Sequence, residues 1–110
     1  MLKIEAIIRS SRVQDIKERL AEKGIPTFSI YQIQISGILK AHETLRNKTS
    51  DFIPKLKIEI LCPDNMGDKI IKVIQETAKT GEKGDGIVYS YKIDNLVKIK
   101  NGDTGEKALS

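Results

Sequence analysis

Apolar and polar residues alternate in several short segments of the chain, a period typical of β-strands with one face in a core. The alternation predicts strands over residues 2–8, 28–35, 55–62 and 87–93, and a short fifth strand over 97–100. In the third segment the apolar side chains fall on one face, which predicts that this face is buried. Its members are Leu56, Ile58, Ile60 and Cys62.

Two other segments repeat apolar residues every three to four positions, which predicts amphipathic helices. The first helix is predicted over residues 12–23. Ser11 and Gln14 form a capping-box pattern at its start, and Gly24 is a typical C-terminal glycine. The second helix is expected to begin after Asp64, a favourable N-cap residue, and to end near residue 79.

The order of these elements is strand–helix–strand, a long segment without a period over residues 38–51, then strand–helix–strand and a short strand. Two such halves are typical of the α+β ferredoxin-like fold, a split βαβ sandwich (βαββαβ) with both helices on one face of an antiparallel sheet. We expect residues 1–110 to form a single domain of this kind, with a long loop between strands 2 and 3.

The opposite face of such a sheet would have no helix over it. The apolar residues expected there are Ile7, Ile33, Ile35, Leu61 and Val88. A half-apolar face of this size is usually covered, and in a chain of 110 residues we expect the cover to be another subunit.

Three glycines fall within six residues in the segment 79–87, between the second helix and the fourth strand. The backbone N–H groups of Gly84, Asp85 and Gly86 could approach an anion closely and form a nest for it. The Thr80 hydroxyl could add a further contact. Plain turn chemistry is the alternative explanation, and the segment lacks the Gly-Lys-Ser/Thr sequence of a P-loop.

Composition narrows the class of protein. A chain with 39% apolar and 31% charged residues is typical of globular domains, and no apolar run is long enough to span a membrane. The N-terminal alternation predicts a strand and not a signal peptide. A net charge of +4, with dispersed lysines and few aromatic residues, does not favour nucleic-acid binding. The single cysteine, Cys62, excludes an internal disulfide and agrees with a cytoplasmic protein.

Five segments together resemble the PII family of nitrogen-regulatory signal proteins, almost from end to end. They are KIEAII (3–8), AEKGI (21–25), DFIPKLKIE (51–59), TGEKGDG (80–86) and KIKNGDTGE (98–106). The resemblance implies a T-loop over 38–51, a B-loop over 79–87, and a C-terminal loop and tail over 98–110. It also implies a homotrimer that is not an enzyme, that binds ATP, ADP or AMP between subunits, and that regulates a membrane transporter or enzyme through the T-loop.

The resemblance further implies roles for individual residues. Those expected to bind nucleotide are Ser29, Gly37, Glu59, Leu61, Thr80, Gly84, Asp85, Gly86, Lys98 and Lys100. The last two replace arginines that reach from the neighbouring subunit, and their alternation along one strand would point both into one cleft. Lys55 matches a lysine that pairs with 2-oxoglutarate. The residues expected to dock on the partner are His42, Glu43, Arg46 and Lys48.

The sequence also departs from the family pattern. Leu39 replaces a glutamine that helps to hold Mg²⁺ and 2-oxoglutarate. Because leucine offers no oxygen to these ligands, the resemblance does not decide whether either of them binds. Ile38 and Ile87 replace basic residues, and Glu82 adds a carboxylate near the phosphates. These changes predict that ADP or AMP binds at least as tightly as ATP.

Three alternatives stay open. The chain could be a divergent PII-like sensor of another small molecule, such as bicarbonate or a transported solute, with ADP or AMP as co-ligand. It could be a nucleotide hydrolase, in which Glu59 or Glu82 would have to act as the only base. It could also be a structural trimer whose nucleotide site is inactive.

Overall fold

The computed structural model describes residues 1–25, 27–36 and 52–110. Its strands are β1 (Leu2–Ile8), β2 (Ser29–Ser36), β3 (Phe52–Cys62) and β4 (Ile87–Lys92). Its helices are α1 (Val13–Glu22) and α2 (Gly67–Ala78). Short 3-10 turns cover Ser10–Arg12, Asp64–Met66 and Gly105–Leu109.

The four strands form one sheet in the order β2–β3–β1–β4, and all neighbouring strands are antiparallel. In β1, Ile4, Ala6 and Ile8 are buried, and the register places Ile60 and Ile58 beside the first two. Both helices pack their apolar residues against this face. This arrangement confirms the ferredoxin-like βαββαβ fold that the sequence predicts.

The core lies between this sheet face and the two helices. It is built from the fully buried side chains that the alternation and the helical period select, which is why both patterns predicted it. Its largest fully buried members are Ile4, Ile8, Ile16, Leu20, Ile58, Ile60, Ile70, Ile74 and Cys62. Cys62 is therefore a small core residue, and burial raises the pKa of its thiol.

The helix starts differ from the prediction, because 3-10 turns replace side-chain caps. Neither helix has a side-chain cap hydrogen bond, and the Gln14 amide donates to Glu18 at 3.3 Å. The capping-box prediction at Ser11 is therefore wrong. The Asp64 carboxylate is also not an N-cap. It lies 2.7 Å from the N-terminal ammonium of Met1.

The strand β3 begins at Phe52, three residues before the predicted start at Lys55, and it includes Pro54. Its pairing with β1 ends at Leu56, whereas its pairing with β2 continues to Phe52. Among the described strands, Pro54 thus lies where β3 pairs with β2 alone, a position at which a proline is tolerated because no inner ladder is interrupted.

The predicted fifth strand over 97–100 is wrong. Within the described residues Val97 forms a single bridge pair with Thr104, and the chain turns between them. The amide of Lys98 donates to the Asp103 carbonyl at 2.8 Å, and the amide of Gly102 donates to the Lys98 carbonyl at 2.8 Å. The Asn-Gly sequence at 101–102 favours this tight turn over an extended strand.

In the part of the chain that the structure describes, no element covers the second face of the sheet. The register places Ile7, Ile33, Ile35 and Leu61 on this face, as predicted. Val88 is an error of the prediction, because it pairs with Ala6 and packs against the core. The residues of β4 on the uncovered face are Ile87, Tyr89 and Tyr91.

Candidate functional site

A groove of about 720 Å³ runs along the start of β2, the end of β3 and the C-terminal 3-10 turn. Three of the residues expected to bind nucleotide, Ser29, Glu59 and Leu61, line it. Ser29 pairs with Glu59 across the two strands, so antiparallel pairing brings them together. The exposed fraction of Leu61 is 39%, which leaves an apolar surface available to a planar ligand.

The mouth of the groove opens where α1 ends. Gly24 has φ +87°, and the amide of Ile25 donates to the Leu20 carbonyl at 2.9 Å. This left-handed glycine confirms the predicted helix end and turns the chain towards β2. Gly24, Ile25 and Phe28 then form one wall of the groove.

Glu59 is held in place by two partners. It accepts a hydrogen bond from the Tyr31 hydroxyl at 2.8 Å and lies 3.3 Å from the Lys3 ammonium. The hydrogen bond to Glu59 is the main reason that the pKa of Lys3 is raised. Glu59 is thus an anchored acceptor in the groove wall, suited to a hydroxyl or amino group of a ligand.

The glycine loop, residues 79–86, is organised around the carboxylate of Asp85. This carboxylate accepts hydrogen bonds from the Thr80 amide at 2.8 Å, the Thr80 hydroxyl at 2.5 Å and the Gly81 amide at 2.9 Å. These bonds hold the pKa of Asp85 far below its ordinary value, the one from the Thr80 hydroxyl being the largest cause. The Asp85 side chain and Thr80 therefore shape the loop from within.

Position 86 requires a glycine for two reasons, its backbone conformation and the close approach of β1. Its φ is +97°, and a Cβ atom placed there would lie 1.8 Å from the carbonyl oxygen of Ile7. Gly84 also has a positive φ, of +100°. Within the described residues the amides of Lys83, Gly84 and Asp85 donate no hydrogen bond. Such a loop can present its N–H groups to an anion.

Two cations lie against the glycine loop. Arg9 donates from Nε to Asp85 at 3.1 Å and from Nη2 to the Lys83 carbonyl at 2.8 Å. Lys55 donates to the Gly84 carbonyl at 2.6 Å. The pKa of Lys55 is lowered, first by burial and then by the like charge of Arg9. Lys55, which was expected to bind an effector, thus contacts the glycine loop, which was expected to bind phosphate.

The sequence prediction missed Arg9. The contact follows from the strand register that the structure shows, because the antiparallel pair Ile7↔Ile87 places residue 9 opposite residue 85. The start of the loop is fixed in a similar way. Arg12 donates two hydrogen bonds, of 3.1 and 2.8 Å, to the carbonyl of Thr77 in the last turn of α2.

Neither Lys98 nor Lys100 is among the residues that line the groove or belongs to the glycine loop. Because they lie in a turn and not in a strand, the argument that they alternate into one cleft is wrong. The ammonium of Lys98 donates to the carbonyl of Ser110 at 2.6 Å. The groove lining and the glycine loop share no residue.

A polar network that the sequence prediction missed lies on the uncovered sheet face. Glu5, only 6% exposed, accepts hydrogen bonds from Tyr89 at 2.5 Å and from Tyr91 at 2.9 Å. Lys57 and Lys3 lie 3.3 and 3.4 Å from the same carboxylate. The pKa of Glu5 is lowered to about 2, chiefly by the Tyr89 hydroxyl. Glu5 also raises the pKa of Lys57.

Several predicted residues lie outside the described part of the chain: Gly37, His42, Glu43, Arg46 and Lys48. Among the described residues, no group of three or more His, Cys, Asp or Glu side chains is placed to hold a metal ion. Neither helix of the described chain has the length and apolar character needed to cross a membrane.

Comparison with known proteins gives a consistent result. A family described as "Nitrogen regulatory protein P-II" matches residues 1–103. The chain is 36% identical over 112 residues to the nitrogen regulatory protein P-II of Haemophilus influenzae, covering 99% of this chain and 100% of the relative. It is 35% identical, with the same coverage, to nitrogen regulatory protein P-II 1 of Escherichia coli K12.

A solved structure is also similar. The crystal structure of Arabidopsis thaliana PII bound to citrate superposes with a TM-score of 0.83 at 29% identity, covering 97% of this chain and 90% of that one. The likeness in structure thus extends over nearly the whole chain.

Proposed function

The chain belongs to the nitrogen regulatory protein P-II family, and on that premise we propose that it is a signal-transduction protein that binds an adenine nucleotide and regulates a partner protein. The observation that carries the proposal is that Ser29 of β2 and Glu59 and Leu61 of β3, all expected to bind nucleotide, line a single groove. The groove offers an apolar side chain beside an anchored carboxylate, which is a typical way to hold a nucleoside.

The glycine loop is the proposed phosphate site. Its shape is set in advance by Asp85, Thr80 and Arg9, so a bound phosphate would not have to order the loop. Two positive-φ glycines, Gly84 and Gly86, let the backbone approach the anion closely. This preorganisation supports phosphate binding over the plain-turn alternative.

Association of copies would complete the site. In a single copy the groove and the glycine loop share no residue, and within the described residues nothing covers the sheet face that carries Tyr91 and Ile87. We therefore propose a homotrimer, closed over these faces, in which groove and loop from neighbouring subunits form one cleft. Lys98 and Lys100 would then reach the phosphates of this cleft from the subunit that supplies the groove, where Lys98 bonds the groove-lining residue Ser110.

We propose that the protein regulates its partner through residues 38–51. The docking residues would be His42, Glu43, Arg46 and Lys48. They lie outside the described residues, so the proposal rests on the family and on their polar composition. The partner would be a transporter or an enzyme connected with nitrogen metabolism, and the protein itself would act in the cytoplasm without catalysing a reaction.

Calorimetric titration with ADP, ATP and AMP tests the proposal. We expect binding, with ADP or AMP at least as tight as ATP. Leu61→Glu places a carboxylate beside Glu59 and should weaken ADP at least about tenfold, the effect of one unfavourable charge in a partly screened site. The control is Ile30→Glu, because Ile30 is exposed to a similar degree, 44%, but points to the other sheet face. No binding of any adenine nucleotide would overturn the proposal.

A second candidate is supported by one feature, the pair of cations at the glycine loop. Arg9 and Lys55 suit a small carboxylate or bicarbonate ion, and the similar Arabidopsis protein was solved bound to citrate. The protein would then sense such an anion, with ADP or AMP as co-ligand. Titration of the ADP-bound protein with bicarbonate, citrate and 2-oxoglutarate tests this. We expect 2-oxoglutarate to bind weakly because Leu39 offers no oxygen.

A further inference from the structure

The C-terminal segment of the chain lies against the groove that is proposed to hold the nucleoside. Residues 105–110, which we term the strap, form a 3-10 turn over Gly105–Leu109 and end at Ser110. Four strap residues line the groove: Glu106, Ala108, Leu109 and Ser110. The strap is thus a wall of the groove that comes from the chain's own C-terminal part and not from the sheet.

The strap is held by few contacts. The Lys98 ammonium donates to the Ser110 carbonyl at 2.6 Å, and the Gly105 amide donates to the Leu96 carbonyl at 3.2 Å. Glu106 and Lys107 are exposed, and Leu109 is 40% exposed. A segment with so little burial opens at low free-energy cost.

The closed strap makes the groove less favourable to an anion in two ways. Glu106 adds a second carboxylate to a lining that already holds Glu59. The strap also occupies the ammonium of Lys98, which the proposed function assigns to a phosphate. Lys3, the cation among the described residues that line the groove, is already paired with Glu59 at 3.3 Å and with Glu5 at 3.4 Å. Both effects of the strap oppose negative charge.

We propose that the strap is an internal competitor of the nucleotide: the closed strap withholds Lys98 and presents Glu106, and nucleotide binding releases it. This inference rests on the proposed function, because it assumes that the groove takes an adenine nucleotide. A ligand that binds only the open form has an apparent affinity reduced by the fraction of open protein. The strap therefore sets how much nucleotide is needed to load the site.

ADP titration of strap variants tests this. A chain ending at Gly105 lacks both effects and should bind ADP about threefold to tenfold tighter than the full chain, the gain expected when a mostly closed form is removed. Glu106→Gln keeps the strap but removes its charge and should tighten ADP by about twofold to threefold. The matched control is Glu76→Gln on α2, an exposed carboxylate that does not line the groove.

A second measurement reports on the strap itself. ADP should accelerate amide hydrogen exchange within residues 106–110 of the full chain, because binding releases them. Slower exchange there, or weaker ADP binding by the shortened chain, would mean that the strap closes over the ligand. Equal ADP binding by the two chains would mean that the strap does not affect binding. Each of these outcomes would overturn the competitor proposal while nucleotide binding stands. If neither chain binds an adenine nucleotide, the proposed function fails and the competitor proposal fails with it.

Discussion

Arg9 Nε lies 3.1 Å from Asp85 Oδ1, although the two residues are 76 positions apart in the sequence. The contact joins the end of β1 to the glycine loop. Because β1 is an inner strand of the sheet, paired with β3 on one side and β4 on the other, the contact ties the loop to a strand that is held on both sides. The same carboxylate orders the backbone of Thr80 and Gly81, so one side chain links the sheet, the loop and the proposed phosphate site.

Asp85→Asn should loosen the glycine loop. The carboxylate accepts from three loop donors and from Arg9, whereas an amide has a single acceptor oxygen and would place its NH₂ group against donors. We expect amide exchange at 80–84 to become at least severalfold faster and ADP binding to weaken, while exchange in β3 stays unchanged. Asp103→Asn, in the distant turn, is the control. Unchanged exchange in the loop would contradict this role of Asp85.

Gly86→Ala should be much more destabilising than Gly81→Ala. Both glycines have a positive φ, +97° and +86°, so both substitutions strain the backbone by about 1–2 kcal/mol. A Cβ at 86 would also overlap the Ile7 carbonyl, whereas a Cβ at 81 meets nothing within 4 Å. Urea unfolding should show a loss of about 3 kcal/mol for Gly86→Ala and about 1 kcal/mol for Gly81→Ala. Equal losses would mean that the loop shifts freely away from β1.

Glu5 should make stability depend on pH in the acid range. Its pKa falls from the ordinary 4.5 to about 2 in the folded protein, so its ionised form favours folding above pH 4.5. This contribution is lost as the pH falls from 4.5 towards 2. The free energy of unfolding should therefore exceed that of Glu5→Gln by a margin that shrinks over this range. A margin that stays constant from pH 6 to pH 2 would contradict the lowered pKa.

The same network gives a more direct test by NMR. The Tyr89 hydroxyl is the largest cause of the lowered pKa of Glu5, whereas Tyr31 bonds Glu59 instead. Tyr89→Phe should raise the pKa of Glu5, and Tyr31→Phe should change it less. The chemical shift of the Glu5 carboxyl carbon, followed against pH, measures both. A larger effect of Tyr31→Phe would show that the network is arranged differently.

Sequence periodicity predicted the fold well because the core imposes it. The alternation in β1 and β3 selects the residues that are buried, and Gly24 marks the end of α1 through a requirement for positive φ. The predictions failed at the helix starts, where either a side-chain cap or a 3-10 turn can satisfy the first backbone donors. Ser11 and Asp64 suit N-caps, but 3-10 turns satisfy the first helix donors instead.

The part of the candidate site that lies on the single strand β3 was predictable from the sequence. Glu59 and Leu61 alternate on β3, so their shared groove follows from the period of the strand. Arg9 was missed because its contact with Asp85 depends on the register between β1 and β4, which a single sequence does not specify. Lys98 was wrongly predicted to lie in a strand, because a short alternating run resembles a strand even where Gly102 turns the chain.

Self-association through the uncovered sheet face is the last prediction. Ile87 lies on this face and is 61% exposed in a single copy, beside the paired Ile7. If copies pack over the face, Ile87→Asp would bury an unpaired charge at each contact and should dissociate the assembly. Ile99→Asp is the matched control, because Ile99 is fully exposed in the turn that follows Val97. We expect sedimentation at micromolar concentration to show a trimer for the wild type and Ile99→Asp, and a monomer for Ile87→Asp. A wild-type monomer would remove the intersubunit cleft, and an Ile87→Asp trimer would place the interface on another surface.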